Sequence, residues 1–219
     1  MKFTITFISL NKKWIDYMRI YFKNESVDII NDNITNIDMK ESIFVSPANS
    51  LGFMDGGIDR VLNEEVFPDC REQYQAKLSD LPYRTILGRP YLPVGSALFV
   101  PRDIEKSGII FAPTMFKPSD VSKTRNAYHS FFAGLYLMRK YNGNYKSLIA
   151  TSHCCGYGMM TEEESARQMY DAWKDFMNGI SKIDESSAID TVLLPKVDDV
   201  NPIIEDTNIK NITIITIIE

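Results

Sequence analysis

The chain has 219 residues, of which 44% are hydrophobic and 24% charged, with a formal net charge of -5 and a pI near 5.2. Those values describe an ordinary globular chain of one domain, argue against a broad nucleic-acid surface, and come with no run of about eighteen apolar residues to cross a membrane. Three cysteines (Cys70, Cys154, Cys155) and two histidines (His129, His153) form neither a disulfide framework nor a metal-ligand spacing, so a reducing, cytoplasmic setting with no metal and no cofactor is expected.

Residues 3–8 alternate as a strand should, and the N-terminus lacks the long apolar core and small-residue cleavage site of a secretory leader. Residues 11–23 predict a helix: Trp14, Met18 and Phe22 recur every fourth residue with Ile15 beside them, a stripe that belongs to the core. Residues 26–30 read as a second strand, followed by an Asx-rich turn at Asn31-Asp32-Asn33-Ile34-Thr35. Ile43-Phe44-Val45-Ser46 is the third strand. It runs through Pro47-Ala48-Asn49-Ser50 into a glycine-containing loop, Gly52-Phe53-Met54-Asp55-Gly56-Gly57, and a helix from Gly56 to about Val66. Strand, glycine loop and helix N-terminus suit an anion, because glycine lets the backbone approach and unpaired N–H groups point outward. Neither GxGxxG nor GxxxxGK[ST] is present.

Further along, a helix is expected over 70–79, then loop, then strands ending near Pro101 and over 108–115. Thr124–Lys140 predicts a helix with Ala127, Phe131, Leu135 and Met138 on one face, and Ser147–Ser152 a strand. A second loop follows, His153-Cys154-Cys155-Gly156-Tyr157-Gly158. Thr161 and Glu164 then form a capping-box pattern that opens a helix to about Asn178. Residues 181–190 read as a polar loop, and 191–194 and 209–218 as strands. Alternating strands and helices argue for a largely parallel sheet covered on both faces, with ligands at the carboxyl ends of its strands, where both loops lie.

The first loop resembles that of the macro domain family, in which a strand leads into V-N-A-A-N and a glycine run closes in G-G-V-D. Val45-Ser46-Pro47-Ala48-Asn49 and Gly56-Gly57-Ile58-Asp59 occupy those places, with the same ten-residue spacing from Asn49 to Asp59 and Ser46 standing for the family's first Asn. The second loop resembles the G-T-G-x-G version of small phage-type members, with Cys154 and Cys155 in place of Gly and Thr. The following Glu163-Glu164-Ser165-Ala166-Arg167-Gln168-Met169 matches their helix start. The resemblance covers roughly residues 1–180. It implies a three-layer α/β/α macro-domain-like sandwich with a mixed, largely parallel central sheet. Residues 1–219 are expected to form a single domain, with 181–219 as a C-terminal extension of closing strands.

The same resemblance implies a site for ADP-ribose or a relative, with an ADP-ribosylated protein as the macromolecular partner. Asp32 and Asn33 fall at the turn whose Asp reads adenine in the family, Asn33 in the Asp position and Asp32 one step early. Ala48, Asn49, Ser50, Gly52, Met54, Gly56, Gly57 and Ile58 would form the first ligand loop, and Cys154, Cys155, Gly156, Tyr157 and Gly158 the second. By position Asn49 and Asp59 would assist attack of water on the ribose, and His153 would serve as an acid or base for phosphate removal, its ordinary pKa suiting that work. Three readings compete: a hydrolase of ADP-ribosyl esters or ADP-ribose 1''-phosphate, a non-catalytic reader or sponge for ADP-ribose or an NAD-derived signal nucleotide, and an unrelated α/β protein whose loops only shape turns.

Overall fold

A computed structural model describes residues 3–102, 106–141, 143–178 and 214–216. The elements are β1 (Thr4–Ile8), α1 (Lys12–Tyr21), β2 (Asp28–Ile30), β3 (Ser42–Ser46), α2 (Gly57–Val61), α3 (Cys70–Asp80), β4 (Ser96–Arg102), β5 (Ser107–Phe111), α4 (Asn126–Lys140), β6 (Ser147–Ala150), α5 (Glu162–Asn178) and β7 (Ile214–Thr216). The strands form one sheet in the order β2-β1-β6-β3-β5-β4-β7. The pairings from β2 through β5 are parallel, and β4 runs antiparallel to both β5 and β7.

Two apolar layers cover the sheet, and the two-residue period of the strands decides which side chain enters which. Ile43 and Val45, and Leu148 and Ala150, face α1, α4 and α5, where Trp14, Phe131 and Met169 fill the layer. Phe44 and Ile149 face the other way, onto Leu62, Tyr74 and Leu78 from the α2–α3 segment. The three-layer α/β/α sandwich with a mixed, largely parallel sheet is therefore the observed fold.

Local chemistry sets the element ends. Asn11 caps α1, its side chain accepting from the Trp14 amide, and Thr161 Oγ1 accepts from the Glu164 amide at 3.2 Å at the start of α5. The long helix expected after the first loop is instead α2 followed by a π turn over Leu62–Val66, where the Phe67 amide reaches back to the Leu62 carbonyl at 2.6 Å. The polar loop and strand expected over 181–194 lie outside the described residues. Of the strand expected over 209–218, the described part is β7.

Parallel pairing puts the carboxyl ends of β1, β6, β3 and β5 side by side. Beyond the strand ends, β3 and β5 stay joined: Ala112 N donates to Ser46 O, Thr114 N to Ala48 O and Ser50 N to Met115 O, at 2.8–3.0 Å. The first glycine loop is thus zipped to the segment after β5 before it turns outward.

Candidate ligand-binding cleft

A cleft of about 530 Å³ opens at those four strand ends. That volume is within the range of small-molecule sites. From the sequence-predicted set it is lined by Asp32, Asn33, Ala48, Asn49, Gly56, Gly57, Ile58, Asp59, Cys154, Gly156, Tyr157 and Gly158. Among the described residues its charged lining residues are Asp32, Asp55 and Asp59, with no Lys, Arg or His. The donors this lining offers an anionic group are therefore backbone N–H groups and neutral side chains such as Ser9, Thr151 and Ser152, rather than cations.

Asn49 organises the first loop. Its Nδ2 donates to the Phe53 carbonyl at 2.7 Å and its Oδ1 accepts from the Phe53 amide at 3.1 Å, so one side chain closes the turn in both directions. Gln75 supports the loop from α3, its Nε2 donating to the carbonyls of Leu51 and Gly52 at 3.0 and 2.8 Å. Gly52, Ser50 and Met54 therefore act as framework. Gly52 has φ +68 and lies against Gln75 and Tyr74, Ser50 is bonded through its backbone to Met115 and Leu92, and Met54 is buried beside Cys70. None of the three lines the cleft, contrary to expectation, because the turn folds back onto α3 between Ser50 and Met54.

Asp59 sits at the cleft wall and is only 9% exposed. Ser46 Oγ, fully buried at the end of β3, donates to its Oδ1 at 2.6 Å. Desolvation pushes the Asp59 pKa up to about 6, the Ser46 hydrogen bond opposes that, and the neighbouring charge of Asp55 adds to it. A carboxylate with that pKa titrates near neutral pH, where a general base works best.

His153 is not part of the cleft. It is completely buried, edge-on to Phe131, and its carbonyl accepts from Ser165 Oγ at 2.6 Å. Ser130 Oγ spends its single proton on the Ala112 carbonyl at 2.6 Å, so at 3.0 Å it must accept from His153 Nδ1–H. Nε2 is left bare, without a partner among the described residues, and burial lowers the pKa to about 3. The expected acid–base role of His153 is thus overturned: a side chain sealed in the core reaches no ligand.

The second loop turns immediately after it. Cys154 adopts φ 65 where the resemblance expected glycine, and its thiol packs with Met115, Val121 and Met160. A side chain in the left-handed region costs about 1 kcal/mol, offset here by burial. Cys155 lies outside the lining and packs against the α1–α5 layer. Burial pushes the Cys154 thiol well up and that of Cys155 to about 11, so neither is a thiolate at neutral pH. Gly158 is required by close packing, since a Cβ there would collide with the Cys154 carbonyl oxygen and lie 2.9 Å from Val121 Cγ2. Tyr157 is 66% exposed and reaches across to the first loop: a Cβ on Gly56 would stand 3.3 Å from its ring and hydroxyl. The two glycine loops meet there over the cleft.

Also in the lining, Asp32 Oδ1 accepts from the Asn33 amide at 2.6 Å and from Asn36 Nδ2 at 2.8 Å, while Asn33 Oδ1 accepts from the Thr35 amide at 3.2 Å. Both side chains shape the turn and keep acceptor capacity toward the cleft. Sequence reasoning missed several lining residues: Ile8 at the end of β1 and Ser9 and Leu10 after it, Thr114, Met115 and Pro118 after β5, and Thr151 and Ser152 after β6. Each lies at or beyond the carboxyl end of a parallel strand, and that rule was the only signal for them.

No protein-family model matches the chain. An uncharacterized protein of Aquifex aeolicus (strain VF5) is 26% identical over 178 residues, covering 79% of this chain and 91% of that protein. Among solved structures, the macrodomain of Mycobacterium tuberculosis DarG is similar with a TM-score of 0.52 at 17% identity, covering 66% of this chain and 87% of that one. With that likeness and the sheet described above, the chain has the macrodomain fold.

Proposed function

We propose that the cleft binds ADP-ribose or a close ADP-ribosyl relative and that the protein hydrolyses an ADP-ribosyl ester or ADP-ribose 1''-phosphate. The observation that carries the hydrolytic reading is Asp59, a desolvated carboxylate on the cleft wall with a pKa of about 6, held by Ser46. At pH 7 such a group is about nine-tenths ionised and accepts a proton readily. Asp59 takes a proton from the water that attacks the anomeric carbon. The electron pair of the broken C–O bond leaves on the released carboxylate or phosphate. The diphosphate is held by backbone N–H groups of the loops around Gly56-Gly57-Ile58 and Gly156-Tyr157-Gly158, consistent with a lining that has no cation among the described residues. Asp32 and Asn33 accept from the adenine amino group.

A second reading, a reader or sponge without turnover, is favoured by Asn49, whose amide is committed at both ends to Phe53. Calorimetric titration with ADP-ribose, with AMP and NAD as controls, tests binding. Chromatography of products from an ADP-ribosyl ester and from ADP-ribose 1''-phosphate then separates the two. Micromolar ADP-ribose binding with product formation that is lost in Asp59→Ala supports the hydrolase. Equal binding with no product supports the reader. No binding of ADP-ribose refutes both.

A further inference from the structure

Residues 83–91 form a finger that the sequence showed only as loop. Tyr91 N donates to Tyr83 O at 3.3 Å, Thr85 N to Arg89 O and Gly88 N to Thr85 O at 2.8 Å, and Arg89 N to Thr85 Oγ1 at 3.0 Å. Arg84 ties the base to α3, its guanidinium donating to the carbonyls of Ser79, Leu81 and Tyr83. At the tip, Ile86 is 101% and Leu87 92% exposed. A single exposed aliphatic residue is ordinary. Two adjacent ones, on a turn whose bonds hold it in place, form a preorganised apolar contact that needs little ordering to bind.

The finger stands next to the cleft. The Arg89 guanidinium lies 4.7 Å over the ring of Phe53, which lines the cleft. Tyr91 meets Phe116 edge-on at 5.6 Å, and Phe116 is half exposed and adjacent to the cleft-lining Met115. The local charge opposes that of the molecule: residues 81–92 carry two arginines and no acid, and exposed Lys117 follows Phe116, on a chain of net charge -5. Aliphatic tips do not stack on bases, so the chemistry favours a polypeptide over a nucleic acid.

We propose that this finger docks the polypeptide that carries the ADP-ribosyl group: an acidic segment with an aliphatic side chain laid on Ile86–Leu87 and carboxylates beside Arg89 and Lys117. The proposal rests on the reading of the cleft as an ADP-ribosyl site. Such a peptide gains roughly ten-fold in affinity over free ADP-ribose from contacts outside the cleft.

The test uses the full chain and its Ile86→Ser/Leu87→Ser variant, titrated with free ADP-ribose and with a synthetic Glu/Leu peptide bearing ADP-ribose through a non-hydrolysable link. The wild type should bind the peptide about ten-fold more tightly than ADP-ribose, and less so at high salt. The variant should lose that gain and keep its affinity for ADP-ribose. Equal affinity of the wild type for both ligands overturns the docking proposal and leaves the cleft reading intact, whereas no ADP-ribose binding at all sinks both. A gain seen instead with an ADP-ribosyl oligonucleotide overturns the polypeptide assignment. A dimer that dissociates in the variant, seen by sedimentation, shows that the finger serves a second copy and overturns it too.

Discussion

Ser46 Oγ donates a 2.6 Å hydrogen bond to Asp59 Oδ1, joining the last residue of β3 to the first turn of α2. It is the hydrogen bond that keeps the buried Asp59 carboxylate from an even higher pKa. In Ser46→Ala the acid limb of the pH–rate profile should move above pH 6, with kcat reduced about ten-fold near neutrality and KM little changed. Ser46→Thr should restore the profile. An unmoved limb in the Ala variant would show that Ser46 does not set the Asp59 pKa.

Asp59 also links stability to pH. Its folded pKa lies above the unfolded carboxylate value, so its contribution is fully present below about pH 4 and is lost as pH rises through about 6. Asp59→Asn removes that loss. The variant should be more stable than the wild type by about 2–3 kcal/mol at pH 7.5, with the difference shrinking toward pH 4, while turnover disappears. Denaturant midpoints at both pH values check it, and a destabilised variant at pH 7.5 would contradict it.

His153 works in the opposite sense. Its pKa is depressed, so the stability it confers is present above about pH 6.5 and falls as the solution is acidified, by about 2 kcal/mol between pH 6.5 and 5. Ring nitrogen NMR should show Nδ1 protonated and Nε2 bare, with no titration of this ring down to pH 5. A ring that titrates near 6.5 would place it in water and reopen its catalytic role.

Asn49→Ala removes both bonds to Phe53. We expect a stability loss of about 1–2 kcal/mol and ADP-ribose binding weakened by more than ten-fold. Hydrogen exchange at the Phe53 amide should speed up. Unchanged exchange would mean that the loop holds itself without Asn49.

Two glycines of one loop should part ways. A Cβ on Gly156 meets nothing within 4 Å among the described residues, whereas one on Gly158 strikes the Cys154 carbonyl. Gly156→Ala should keep its melting temperature and lose ADP-ribose affinity if, as proposed, the open space beside Gly156 takes the diphosphate. Gly158→Ala should lose about 1–3 kcal/mol of stability as well. The reverse order of damage would move the ligand away from Gly156.

Periodicity made the elements legible: the Trp14–Met18–Phe22 stripe, the Ala127–Met138 face and the apolar strands Ile43–Val45 and Ser147–Ala150 all lie where short-range pattern puts them. The resemblance of the two glycine loops to those of macro domains pointed to Asn49, Asp59 and Gly156–Gly158, which the sheet brings to one cleft. What the chain could not disclose locally was burial and long-range pairing. His153 and Cys154 are adjacent, yet one is sealed in the core as a neutral base and the other borders the cleft, because a single turn at φ 65 divides them. Ser46 reads as a mere departure from a motif until the fold brings it to Asp59, and the finger at 83–91 reads as loop until its cross-bonds are seen. A sequence carries the periods that build helices and strands; only tertiary contact removes water from a chosen side chain, and that desolvation raises the Asp59 carboxylate toward neutral pH and keeps His153 uncharged.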